Sequence, residues 1–196
     1  MKNNARVVVI GGGVVGVSTL YHLVKKGWTD CVLIERKELT SGSTWHAAGL
    51  LPLFNMSYSV GQIHKYSVDL YGRLEEETGQ YAGLSRVSNI RLATTQDRMD
   101  EYKQYAGVAQ TIGVQVDILT PDEVVDIWPL AVKDNLIGAI RHPMDGYIQP
   151  ADLTQALAKG ARDIGGQIYR NTNVTAITRT PSGEWKVTTD KGEIIC

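Results

Sequence analysis

Six consecutive residues, Gly11-Gly12-Gly13-Val14-Val15-Gly16, fit the pattern G-x-G-x-x-G. Each glycine has a physical task. Gly11 permits a tight turn, Gly13 lets the backbone approach a diphosphate, and Gly16 allows a helix to pack closely on a strand. N–H groups near Val14 and Val15, at the positive end of a helix dipole, would hold that diphosphate. Glu35 follows Gly16 by 19 residues and ends an apolar run, where its carboxylate can accept hydrogen bonds from both hydroxyls of a ribose. Glycine turns also arise for packing alone, so the pattern is informative only with its surroundings. A strand before it, a helix after it and a carboxylate at this spacing point to a dinucleotide with an unphosphorylated adenosine ribose. The pattern by itself does not separate NAD from FAD.

The elements that must position these residues are legible around them. Residues 6–10 (RVVVI) form a β-branched run suited to a parallel strand buried on both faces. From Val14 to Lys26 the period turns helical, with Val17, Leu20, Tyr21 and Val24 on one face and Gly27 as the stop. Residues 31–35 (CVLIE) form a second buried strand, completing a right-handed βαβ unit. Residues 37–44 read as a loop entering a short helix. Ile63, Tyr66, Leu70 and Leu74 then recur at helical spacing up to Gly79, with Lys65, Asp69 and Arg73 on another face.

Further along, residues 86–95 read as one strand and residues 98–112 as a helix. Thr120-Pro121-Asp122-Glu123 carries an N-cap threonine, proline at N1 and glutamate at N3, so a short helix starts there. Residues 136–141 read as a strand, Asp145-Gly146 as a turn, and Gln149-Pro150 as the opening of a helix that buries Leu153, Leu157, Ala161 and Ile164. Strands are expected at residues 167–170, 174–179 and 185–190, and again at the final Ile194-Ile195-Cys196.

Composition narrows the class. The chain has 196 residues, 20 Lys+Arg against 21 Asp+Glu, and 43% hydrophobic residues, enough to bury a core without disulfide or metal staples. Near-neutral charge removes the electrostatic case for nucleic acid. Cys31 and Cys196 supply neither a disulfide framework nor a zinc spacing. No apolar run approaches the roughly 20 residues of a membrane span. A strand beginning at Arg6 leaves little room for a targeting peptide unless one has been removed, so the expected location is cytoplasmic, or the mitochondrial matrix for a processed eukaryotic chain.

The stretch Gly42-Ser43-Thr44-Trp45-His46-Ala47-Ala48-Gly49-Leu50 carries small residues that let backbone and hydroxyl groups approach a cofactor. Here the sequence resembles the dimethylglycine dehydrogenase and sarcosine dehydrogenase family, within the D-amino-acid-oxidase-like flavoproteins. The matching stretches are VVVIGGGVVGVSTLYHL, VLIERKELTSGSTWHAAGLL, LEEETGQ, IRLATT and DGYIQPADLTQALAKGAR with NTNVTAI. The resemblance implies FAD, attached covalently through His46 to the flavin 8α-methyl carbon. It places Val14, Val15, Glu35, Arg36 and the nine residues from Gly42 to Leu50 around that cofactor, with Val174 at the adenine. Gln149 departs from the family, which commonly has an acid there. His22, His64 and His142 have no metal-ligand spacing, so no metal site is expected. Trp45 and Tyr147 are candidates to line a pocket, with core packing as the competing assignment.

The fold class expected is α/β. It would be a two-layer, Rossmann-type, glutathione-reductase-like FAD domain formed by residues 1–80 and 150–196, with the start of an inserted α+β substrate domain at 81–149. The resemblance implies oxidation of a small N-methylated amino acid such as dimethylglycine or sarcosine. The electron acceptor would be an electron-transfer flavoprotein or dioxygen. The family's chain runs on past the position of residue 196, where its substrate-positioning groups and any tetrahydrofolate region lie, so no catalytic acid or base is assigned. Two other readings stay open at this point: a non-catalytic FAD-binding fragment, and a D-amino-acid or glycine oxidase relative with noncovalent FAD.

Overall fold

A computed structural model describes residues 1–196. In chain order the elements are β1 (Val7–Ile10), α1 (Val14–Lys25), β2 (Cys31–Ile34), a 3-10 turn (Ser43–His46), β3 (Leu50–Leu51), α2 (Tyr58–Thr78), β4 (Leu84–Arg86), β5 (Asn89–Ala93) and α3 (Gln96–Ile112). They continue with β6 (Asp117–Leu119), α4 (Pro121–Ile127), β7 (Gly138–His142), β8 (Gly146–Ile148), α5 (Pro150–Asp163), β9 (Gln167–Tyr169), β10 (Val174–Arg179), β11 (Trp185–Thr189) and β12 (Gly192–Ile195). The chain divides into two compact units. The first comprises Met1–Gly49, Arg73–Gly83 and Gln149–Cys196, and the second Leu50–Gly72 and Leu84–Ile148.

The first unit is built on a parallel sheet in the order β1-β2-β9. β2 lies in the middle and all four of its residues are buried, which is why its sequence is uniformly apolar rather than alternating. α1 buries Val17, Leu20, Tyr21 and Val24, the face read from the sequence. Gly27 adopts φ +88 just past its end, a conformation glycine takes without penalty. α5 packs on α1. The approach is close because Gly160 has no side chain: a Cβ there would lie 2.8 Å from the Tyr21 ring. The other face of the sheet meets a third layer. Val32 and Ile34 pack with Val187 and Ile194 of the antiparallel sheet β10-β11-β12. The hairpin strands were expected, but their stacking on the parallel sheet makes three layers instead of two.

In the second unit the antiparallel sheet β5-β7-β6 lies between two helices. Ala93 and Ile140 pack with Met99, Tyr102, Tyr105, Ala109 and Ile112 of α3. Ala139 and Leu119, on the opposite face, pack with Val124 of α4. The Thr120 hydroxyl accepts from the Glu123 N–H, and the Glu123 carboxylate accepts from the Thr120 N–H at 2.8 Å, so the capping box forms as its sequence dictates. A smaller sheet, β3-β8-β4, completes the unit.

Four local expectations differ from the structure. The single strand over residues 86–95 is two strands, because Ser88 turns the chain at φ +64 with neither glycine nor proline to announce it. On α2, Ile63 and Tyr66 are exposed while Gly61, Val68, Leu70 and Leu74 are buried. Gly61 meets Ile112 so closely that a Cβ would clash, so part of the packed face is marked by a missing side chain. The segment after residue 44 forms only a 3-10 turn before β3 begins, and Ile164 is exposed past the end of α5.

Candidate dinucleotide site

The glycine turn joins β1 to α1 in the first unit. Gly11 adopts φ +111 and its N–H donates to the Ile34 carbonyl at 2.9 Å, which locks the turn to the end of β2. A Cβ on Gly12 would lie 2.6 Å from Leu39 and 2.9 Å from Glu35, and one on Gly16 would run into the Gly11 carbonyl. Gly13 is the N-cap residue of α1 and makes no side-chain cap. The cap comes instead from Thr44, whose hydroxyl accepts from the Val14 N–H at 2.9 Å. The N–H groups of Val15 and Gly16 have no partner within the helix. Val15 is 77% exposed, and the first turn of α1 contains no acidic residue.

Glu35 is held from both sides. One carboxylate oxygen accepts from the Gly12 N–H at 2.6 Å and the other from the Lys37 N–H at 2.8 Å. Its own N–H donates to the Tyr169 carbonyl at 2.8 Å, and its carbonyl accepts from the Thr172 N–H at 2.9 Å. A carboxylate offers about four acceptor positions. With one used on each oxygen, each oxygen keeps one, which matches the two hydroxyls of a ribose.

These residues open onto two adjoining cavities. The larger, about 580 Å³, is lined by Gly11, Gly13, Val14, Val15, Gly16, Glu35, Arg36, Gly42, Ser43 and Thr44 among others. The second, about 280 Å³, shares Ile10, Gly11, Glu35 and Arg36 with the first and adds Thr172, Asn173 and Val174. The larger falls in the size range of small-molecule sites. The structure thus brings together eleven of the residues read from the sequence. It adds Thr19, Lys37, Ser41, Thr172 and Asn173, of which only the polar NTN run beside Val174 carried a sequence signal. Trp45, His46, Ala47, Ala48 and Gly49 line neither cavity. Trp45 is 71% exposed and His46 is exposed beside it, ending the 3-10 turn that Thr44 anchors. Leu50 falls in the second unit, where β3 pairs with β8. Tyr147 is also exposed, so neither it nor Trp45 packs in a core.

A buried polar cluster in the second unit was not legible in the sequence. Asp145, 1% exposed, accepts from the Leu53 N–H at 3.0 Å, while the Tyr105 hydroxyl donates to the Leu53 carbonyl at 3.0 Å. His142 is fully buried with Nε2 3.3 Å from the same hydroxyl. Burial raises the Asp145 carboxyl to about 6, against the opposing pull of the Leu53 N–H and Arg91. Burial, helped by the Arg91 charge, lowers His142 to about 4. Asp145 Oδ2, His142 Nδ1 and Arg91 Nε have no hydrogen-bond partner in the protein.

The chain is 44% identical over 193 residues to rat mitochondrial dimethylglycine dehydrogenase, covering 98% of this chain and 22% of that protein. It is 37% identical to the formaldehyde-forming 4-methylaminobutanoate oxidase of Paenarthrobacter nicotinovorans, covering 100% of this chain and 24% of that protein. The chain therefore spans less than a quarter of the length of these curated relatives. Among solved structures, the L-proline dehydrogenase of P. horikoshii superposes with a TM-score of 0.90 at 28% identity, over 100% of this chain and 51% of that one. The FAD dependent oxidoreductase family matches residues 6–196, and with the glycine turn, Glu35 and the adjoining cavities in place, the chain belongs to that family.

Proposed function

We propose that this chain forms the FAD-binding part of an amine oxidoreductase that acts on a small N-methylated amino acid, of the dimethylglycine or sarcosine type. The observation that carries the reading is Glu35. It pins the glycine turn through Gly12 and keeps one acceptor position per oxygen for a ribose, in a chain 44% identical to a dimethylglycine dehydrogenase. The diphosphate would meet the Val15 and Gly16 N–H groups at the mouth of α1, where the helix dipole favours an anion. Arg36 and the segment Gly42–Thr44 would flank it, and Val174 would lie at the adenine end. FAD would supply the two-electron acceptor there, taking the hydride lost from the N-methyl carbon of the substrate. Water would add to the resulting iminium to release formaldehyde and the demethylated amine, or tetrahydrofolate would take the one-carbon unit, and the electrons would pass to an electron-transfer flavoprotein or to dioxygen.

His46 is the attachment point for the flavin in this reading. Its exposure and its place at the end of an anchored turn support the role. The unit formed by Leu50–Gly72 and Leu84–Ile148 is the beginning of the substrate-binding domain.

The test is chemical. Purified protein is precipitated with acid, and flavin fluorescence is measured in pellet and supernatant for the wild type and His46→Ala. Flavin should stay with the wild-type pellet and leave with the His46→Ala supernatant. Wild-type flavin found wholly in the supernatant overturns covalent attachment. Anaerobic addition of dimethylglycine or sarcosine should bleach the flavin absorbance, and a bound flavin indifferent to both would overturn the substrate class.

A further inference from the structure

We infer that Thr44 is a positioning residue that couples the diphosphate end of the site to the presentation of His46. This rests on the reading of His46 given above and goes beyond it by naming what holds that histidine in place.

Helix α1 does not cap itself. Gly13 stands at the N-cap of α1 and has no side chain to offer. The Val14 N–H is satisfied by the Thr44 hydroxyl, 30 positions along the chain. From Ser41 to Ala48 every residue except Thr44 is exposed, and Thr44 is only 6% exposed. The stretch therefore has one buried anchor. That anchor bears on the turn at two points, since a Cβ on Gly13 would lie 3.0 Å from the same Thr44 oxygen. A neighbouring bond supports the loop, with the Trp45 N–H donating to the Thr40 carbonyl at 3.1 Å. His46 follows Thr44 by two residues in the same 3-10 turn.

Two consequences follow. An anion at the mouth of α1 is bound by N–H groups of the turn whose first member Thr44 already holds, so whatever orders the turn also orders the loop. Conversely, release of Thr44 frees an exposed segment that has no other buried side chain, and His46 moves with it. A capping hydrogen bond of this kind shifts an equilibrium by roughly tenfold.

The experiment follows the time course of acid-stable flavin after FAD is added to flavin-free protein, in the wild type, Thr44→Val, Thr44→Ser and His46→Ala. FAD affinity is measured in parallel by fluorescence quenching. Valine keeps the volume of threonine and removes the acceptor. Serine keeps the acceptor. At saturating FAD, Thr44→Val should form acid-stable flavin about tenfold more slowly than the wild type, and Thr44→Ser should restore most of the rate. Hydrogen exchange of the Val14 amide should rise in Thr44→Val alone, which shows that a folded Thr44→Val protein has lost the cap. A wild-type rate in Thr44→Val, with His46→Ala forming no acid-stable flavin, overturns the coupling and leaves the His46 reading standing. Acid-stable flavin in His46→Ala, or none in the wild type, overturns both.

Discussion

The substitution Gly16→Ala separates a glycine kept for the site from one that merely happens to lie in a helix. Both Gly16 and Gly107 are helical, in α1 and α3. On propensity alone, alanine should improve either by about 1 kcal/mol. Around Gly107 nothing lies within 4 Å of an added Cβ, so the gain should be realised there as about 0.5–1 kcal/mol. At Gly16 the Cβ meets the Gly11 carbonyl oxygen well inside van der Waals contact, with the Gly11 carbonyl carbon at 3.2 Å and Val9 at 3.5 Å. The obstacle is backbone, held in turn by the Gly11 N–H bond to Ile34 at 2.9 Å, so no side-chain rotation relieves it. Overpacking of this kind costs about 1–3 kcal/mol. Taking the upper end and subtracting the propensity gain leaves a net loss of about 2 kcal/mol. The helix mouth is also displaced from the turn, so FAD affinity should fall. Urea unfolding followed by circular dichroism, with FAD titration in parallel, reads both effects. A Gly16→Ala protein as stable as Gly107→Ala, with unchanged FAD affinity, would refute the packing argument.

Two further predictions concern stability. The buried pair Asp145 and His142 titrates in opposite senses. His142 is lowered from 6.5 to about 4, so its contribution is complete above 6.5 and is lost as pH falls toward about 4. Asp145 is raised from 3.8 to about 6, so its contribution is complete below 3.8 and is lost as pH rises through about 6. Each is worth roughly 3 kcal/mol at most, because a tenfold change in proton affinity corresponds to about 1.4 kcal/mol. Asp145→Asn should therefore be more stable than the wild type above 6.5, with the advantage vanishing near 4, in denaturant titrations across pH. An advantage constant with pH would remove the carboxylate as its cause. Separately, Gln149 is the N-cap of α5 in extended geometry and makes no side-chain cap. Gln149→Asp should add about 1 kcal/mol and raise the melting temperature by roughly 2–4 °C for a chain of this size; an unchanged melting temperature would contradict this.

What the sequence discloses and what it conceals divide along a physical line. Local signals were readable in α1 and α4, where the packed face or the cap and its boundary residue come from one short segment. α1 shows its buried face and its Gly27 stop within 14 residues, and α4 shows its capping box within four. Glu35 was readable because its distance from Gly16 is set by the βαβ unit itself. The cap on α1 was not, since donor and acceptor lie 30 residues apart. Nor was the clamp of Asp145 on Leu53, which spans 92 residues. An Asp-Gly pair reads as an exposed turn, yet here the ladder from Gly146 into β4 draws the aspartate inside. α2 misled because a 21-residue helix shared between two compact units need not keep one apolar stripe along its length.

Occupation of the glycine turn by FAD, with Glu35 on its ribose, is tested most directly by hydrogen exchange with and without FAD. Protection should concentrate at residues 11–16, 35–37, 41–46 and 172–174, and Glu35→Ala should remove most of it. Protection confined to other residues, or the same pattern and affinity in Glu35→Ala, would contradict it.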